Sequence, residues 1–195
     1  NQENPEMGSR KVPFGRVLYI DREDFKIEPP RKYFRLYPGN EVRLMNAYFV
    51  TCTDYVTDED GNVTEVHCTY DPETKSGSGF NARKVKGTIH WVCAETAEKC
   101  EIRLYENIVD EEKGVYNEDG SINVNPNSLT VLDDCYVEPA LAEAEALDSF
   151  QFVRHGYFCV DSKDSTKEHM VFNRIVSLKS TNQSKGDLSW DYFPD

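Results

Sequence analysis

Long apolar runs are absent from this chain of 195 residues. The longest, such as Ala47-Tyr48-Phe49-Val50, falls far short of the roughly 18 residues that span a bilayer, so a membrane-crossing helix is excluded. The first residues, Asn1-Gln2-Glu3-Asn4-Pro5, include neither a basic nor an apolar segment, and no secretory leader is legible in them. With Asn rather than Met in first place, the sequence reads as a piece of a longer chain. Closely paired cysteines are missing too. Cys52, Cys68, Cys93, Cys100, Cys135 and Cys159 form no C-x-x-C pair, and their spacing fits no zinc template. Most lie in apolar, strand-like runs, where a thiol behaves as a small hydrophobe. Reduced thiols in a cytoplasmic protein are therefore expected, with a secreted module of three disulfides as the alternative. Catalytic signatures are also lacking: no G-x-x-x-x-G-K-[ST] phosphate loop, no H-E-x-x-H and no G-x-S-x-G occurs. His67, His90, His155 and His169 are scattered along the chain. No catalytic residue, bound cofactor or metal site is expected here. Basic charge is scarce as well. The 22 Lys and Arg face 35 Asp and Glu, for a net charge of −13 and a pI near 4.8, which argues against a non-specific nucleic-acid binder.

The average hides a strong polarity. From Arg10 to Arg43 nine Lys or Arg stand against five acids, whereas from Tyr105 to Asp148 a lone Lys stands against twelve. A basic segment can thus meet a polyanion within an acidic chain. Aromatic residues, 12% of the total, supply material for a core, and their pattern is that of strands. Glu41 to Val56 reads as one strand, Asp58-Glu59-Asp60-Gly61 as a turn, and Asn62 to Tyr70 as the returning strand. Further strands are expected over Lys84–Cys93, Glu101–Tyr105, Leu129–Val137, Phe150–Arg154, Gly156–Val160 and Met170–Leu178. Asp71–Ala82 and Glu106–Ser128 read as polar loops. Pro139 followed by A-L-A-E-A-E-A-L predicts a helix of about two turns. The fold class is all-β: two tandem small β-barrels with short helices. Residues 1–9 are read as a linker, 10–81 as the first barrel, 82–180 as the second, with strands that the barrels could share, and 181–195 as a polar tail.

Two clusters carry chemistry. Arg31-Lys32-Tyr33-Phe34-Arg35-Leu36-Tyr37, followed by Arg43, interleaves cations with aromatics. On a strand Tyr33, Arg35 and Tyr37 would share one face, with Lys32 and Phe34 on the other. Unstacked RNA bases are recognised by aromatic planes, guanidinium planes and fixed donors on their edges, so single-stranded RNA is the functional reading. An ordinary strand with snorkelling cations is the bland one. In Phe150-Gln151-Phe152-Val153-Arg154, Gln151 offers a donor and an acceptor to a pyrimidine edge, with Arg154 close by.

Four segments carry a resemblance: Asn4-Pro5-Glu6-Met7-Gly8-Ser9-Arg10, Glu41-Val42-Arg43-Leu44, Val85-Lys86-Gly87-Thr88-Ile89-His90-Trp91-Val92 and Gly156-Tyr157-Phe158-Cys159-Val160-Asp161. In order, and over residues 4 to 180, they resemble the C-terminal anticodon-binding region of the glutaminyl-tRNA synthetases. The F-Q-F-x-R string and the later V-F-N-R favour that member over the archaeal or eukaryotic glutamyl relatives. An rRNA-binding barrel protein is a further alternative. The resemblance implies a class I synthetase that joins glutamine to its tRNA with ATP and Mg2+, its catalytic domain lying upstream in the same chain. It implies a cytoplasmic monomer whose partner here is the anticodon loop of tRNA(Gln). Residue by residue it implies Arg43 for the first anticodon base and Arg35 for the third, a guanine. There a guanidinium fork suits O6 and N7. Gln151 with Arg154 is implied for the central uridine, and Lys32 completes the RNA-binding set. Phe34 and Met45 stand where basic residues are expected, and Lys32 where a Gln is.

Overall fold

Period-two alternation of β-branched and aromatic residues favours strands, and strands dominate the computed structural model, which describes residues 4–109 and 113–178. Eleven strands and no α-helix occur among the described residues. They divide into two units, 4–97 and 98–178. No helix among them is long and apolar enough to cross a membrane.

Unit 1 holds β1 (Leu18–Tyr19), β2 (Glu41–Leu44), β3 (Phe49–Thr57), β4 (Val63–Asp71), β5 (Thr88–Ile89) and β6 (Val92–Cys93). One sheet has the order β4-β3-β2-β5, and β1 pairs with β6 in a second. The strand expected over Glu41–Val56 is in fact a hairpin. Asn46, at φ 56°, tolerates the left-handed conformation, and the Leu44 N–H donates to the Tyr48 carbonyl across the turn. The β3–β4 hairpin forms as read. At its tip the Asp58 carboxylate accepts the N–H groups of Asp60 and Asn62. The segment 82–97, grouped above with the second barrel, pairs with unit 1 because β5 runs parallel to β2, Arg43 opposite Thr88 and Leu44 opposite Ile89. It gives two short strands rather than one, since the chain leaves β2 at His90-Trp91, where the Trp91 indole N–H donates to the Met45 carbonyl at 3.0 Å. Gly87 is required just before it: a Cβ there would lie 2.1 Å from the Phe34 carbonyl oxygen. Phe25, Leu36, Val42, Leu44, Cys52 and Ile89 fill the core, each burial contributing about 1.5–3 kcal/mol for the large side chains.

Unit 2 holds β7 (Glu98–Tyr105), β8 (Leu129–Val137), β9 (Ser149–Phe152), β10 (Gly156–Val160) and β11 (Met170–Ser177). Their order is β8-β7-β11-β10-β9, with β7 and β11 parallel and the other pairs antiparallel. Phe158 and Phe172, fully buried, pack against Phe150 and Phe152. The expected helix is reduced to a five-residue 3-10 turn, Pro139–Glu143. Helix propensity loses here to a competing turn: the Asp148 carboxylate accepts the Glu145 N–H, and Leu147 adopts φ 71°. The Glu106–Ser128 connection carries isolated bridges, Val109 to Val124 and Tyr116 to Ile122. Both units are all-β, and their sheets are open among the described residues. All six cysteines are free. The polar tail, 181–195, lies outside the described residues.

Candidate nucleic-acid interface

Arg43 leaves β2 on the edge that meets the returning loop 72–76. That loop is anchored first. Asp71 accepts the Glu73 N–H, and buried Thr74 accepts the Phe49 N–H at 2.8 Å while donating to the Asp71 carbonyl at 2.7 Å. Ser76 follows, its hydroxyl donating to the Ala47 carbonyl at 3.0 Å and accepting Nη1 of Arg43 at 2.8 Å. The guanidinium lies 4.3 Å from the centroid of the Phe49 ring. A planar cation with five donors, partly exposed, is thereby held by one hydroxyl and one aromatic face, with the Thr74 carbonyl accepting a longer bond from Nη1 at 3.5 Å. Arg83 flanks it, 5.3 Å from the same ring, and is itself clamped by Glu41 and Asp71 at 2.6 and 2.7 Å. The Arg83 guanidinium holds the Asp71 carboxyl below the usual carboxylate range, helped by the Glu73 N–H.

Arg35 is placed differently from expectation. Residues 31–37 form no strand: Lys32 sits in a turn with φ 66°, and Leu36 alone bridges, in parallel, to Phe25. Pro29-Pro30 upstream cannot donate to a ladder, and the Leu36 N–H goes instead to the Asp24 carbonyl. The two-faced alternation therefore does not apply. Arg35 reaches inward, its Nη1 3.0 Å from the Asp24 carboxylate, with side chains 34% and 0% exposed. Lys32, Tyr33, Phe34 and Tyr37, split above between two faces, instead line one groove of about 480 Å3 together with Lys84 and Lys86. The sequence reading missed Lys84, Lys86, Phe49 and Ser76. The lysines had a signal, K-V-K at alternating positions before Gly87; Phe49 and Ser76 had none, because their role depends on a loop folding back.

In unit 2, Gln151 pairs in register with Tyr157. Its neighbours Phe150 and Phe152 face the core, so Gln151 is exposed on the opposite face. Arg154 occupies the turn of the same hairpin with φ 74°, beside the His155 N–H to Phe152 carbonyl bond. The two residues are brought onto one hairpin, as expected. Behind it the G-Y-F-C-V-D string has a structural account. Gly156 has φ 148°, and a Cβ would lie 2.4 Å from the Val176 carbonyl oxygen. Asp161 caps the next turn, accepting from the N–H groups of Asp164 and Lys163 at 2.7 and 2.8 Å and from the Asn173 amide at 2.6 Å. These bonds, that of Asp164 first, pull its carboxyl down to about 2.

Residues 1–71 and 88–161 each match a family model described as tRNA synthetases class I (E and Q), anti-codon binding domain. The glutamine–tRNA ligase of Clostridium perfringens is 51% identical over 189 residues, 95% of this chain and 34% of the relative. That of Clostridioides difficile is 54% identical over 186 residues, 93% and 33% of the two chains. That of Rhodopirellula baltica is 53% identical over 184 residues, 93% and 30%. The chain spans about a third of the length of the curated relatives it matches.

Proposed function

We propose, for a chain that belongs to the anticodon-binding domains of the class I tRNA synthetases (E and Q), that it reads the anticodon of tRNA(Gln) on behalf of a glutamine–tRNA ligase. The observation that carries this reading is the pair of held guanidiniums in unit 1. Arg43 is fixed by Ser76 and Phe49 and Arg35 by Asp24, and both stay partly exposed. A fork whose orientation is set before binding loses little entropy on meeting a base edge. Arg43 addresses the first base. Arg35 donates to O6 and N7 of a guanine at the third. Gln151 uses both functions of its amide on the central uridine, with Arg154 at the hairpin turn beside it. Lys32 and its neighbours in the groove neutralise phosphates.

The chemistry of ligation lies elsewhere in this reading. ATP and Mg2+ belong to the catalytic part of the longer cytoplasmic enzyme, which acts as a monomer. Binding of this chain to the anticodon stem–loop of tRNA(Gln), measured by fluorescence anisotropy against stem–loops changed at one anticodon position each, tests the reading. Preference for the cognate loop at all three positions is expected; equal affinity across the set would overturn it.

A further inference from the structure

Base-edge reading by Arg35, Arg43 and Gln151 leaves the most exposed aromatic side chain of the groove without a task. Phe34 is 49% exposed, although it sits in a loop fixed from behind. Its carbonyl packs so closely on Gly87 that no side chain fits there, and the next residue back, Lys86, holds its ammonium 5.6 Å from the Phe34 ring centroid. Lys32, Lys84 and Tyr33 share the groove wall. Its carboxylate, that of Glu41, is neutralised by Arg83, which donates through Nη2 and Nε at 2.6 and 2.9 Å. An exposed ring within a positively charged, aromatic-lined groove suits neither an apolar peptide nor a small acid. It suits a nucleotide, whose base offers a π face and whose phosphate offers a charge.

We propose that Phe34 is a stacking platform for one unpaired base of the RNA loop, and that Lys86 swings from the ring to the adjoining phosphate when the base arrives, a role that rests on the anticodon-loop reading above. Every base has a π face, so the platform adds affinity rather than sequence preference.

The test uses the whole chain and a series of anticodon stem–loops in which each loop nucleotide in turn is made abasic. Losing the stacked base should weaken binding to the unsubstituted chain about five- to 150-fold, the range of one base–aromatic stack. In Phe34→Leu, which keeps bulk and apolarity, the penalty at that nucleotide should vanish while those at the other positions persist; Phe34→Trp should retain it. Lys86→Gln should lower the salt slope by about the contribution of one phosphate contact. Identical abasic penalties in Phe34→Leu and the unsubstituted chain would overturn the stack and leave anticodon reading standing. Failure of the unsubstituted chain to bind any stem–loop would overturn both.

Discussion

Arg35 pairs with Asp24 and, in the proposed reading, also selects a base; separating the two duties gives the most informative perturbation. In Arg35→Ala the Asp24 carboxylate, with no solvent exposure, loses the guanidinium 3.0 Å away. Removing one partner of a fully buried ion pair costs about 3–5 kcal/mol. The Arg35 side chain is 34% exposed, so water enters when it is cut back, and a figure of about 2 kcal/mol is the better expectation. For a unit of this size that corresponds to a fall in Tm of roughly 8–16 °C. Asp24→Asn added to Arg35→Ala removes the buried charge while keeping shape, and should recover at least half of the loss. Thermal and urea unfolding followed by circular dichroism measure all three proteins. The second duty is read below the lowered Tm, as the ratio of affinities for stem–loops with guanine and with another base at the third position. That ratio should drop about tenfold or more in Arg35→Ala, within the roughly 1–3 kcal/mol of a bidentate base contact, and Asp24→Asn should not restore it. Unchanged stability in Arg35→Ala would refute the buried-pair argument. Restoration of third-base selection by Asp24→Asn would show that Arg35 acts through folding rather than recognition.

Gly87→Ala forces a Cβ to within 2.1 Å of the Phe34 carbonyl oxygen, a backbone atom that cannot swing aside, and should cost about 1–3 kcal/mol in urea unfolding. Asp161, with its carboxyl held near 2 in the folded state against about 3.9 when unfolded, contributes stability present above pH 4 and lost as pH falls towards 2. Asp161→Asn should therefore remove part of the decline in the urea midpoint between pH 4 and 2 shown by the unsubstituted protein. Six thiols should react with a thiol reagent in denaturant without reductant, whereas in the native state at pH 8 the buried Cys100 should lag behind exposed Cys68, its thiol pushed up by burial and by Cys135 beside it. RNA affinity should fall with salt at a slope of about −2 in log units if the lysines of the groove are the phosphate contacts, measured by anisotropy from low to moderate salt.

The elements legible in the sequence were those whose partner lies next in the chain. The β3–β4 hairpin was read because Asp58-Glu59-Asp60-Gly61 interrupts two β-rich runs, and its Asp58 does cap the turn. Gln151 and Arg154 were paired because one short hairpin carries both. The Leu44–Tyr48 turn was hidden, since Asn46 is embedded among strand formers and nothing but its φ of 56° divides β2 from β3. The reach of the first unit to residue 97 was hidden as well. It depends on parallel pairing of β5 with β2, a contact between residues far apart in the chain, which composition does not report. Arg35 is legible as a cation but not as the partner of a buried carboxylate, because Asp24 reaches it from a single 3-10 turn, Arg22–Asp24, too short to have a periodicity to read.

The six cations placed in the proposed interface of unit 1 fall into two physical classes, and on the proposed reading this division accounts for RNA recognition by a chain of net charge −13. Arg35, Arg43 and Arg83 each have an internal partner: a carboxylate for Arg35, a hydroxyl and a ring for Arg43, two carboxylates for Arg83. The charges of Arg35 and Arg83 are largely balanced where they stand, so these two add little to long-range attraction, while Arg43 keeps its charge; what all three offer is direction. Lys32, Lys84 and Lys86 are exposed on the groove, and their flexible ammonium groups act as point charges that follow a phosphate rather than fix a base. An acidic chain repels RNA at distances up to about a Debye length, near 8 Å at physiological salt. Misplaced encounters on its acidic stretches are therefore disfavoured. Only an approach that brings phosphates to the lysines offsets that repulsion, and only then do the held arginines come within reach of base edges. On the proposed reading, specificity thus rests on groups immobilised before binding, and attraction chiefly on groups that are not.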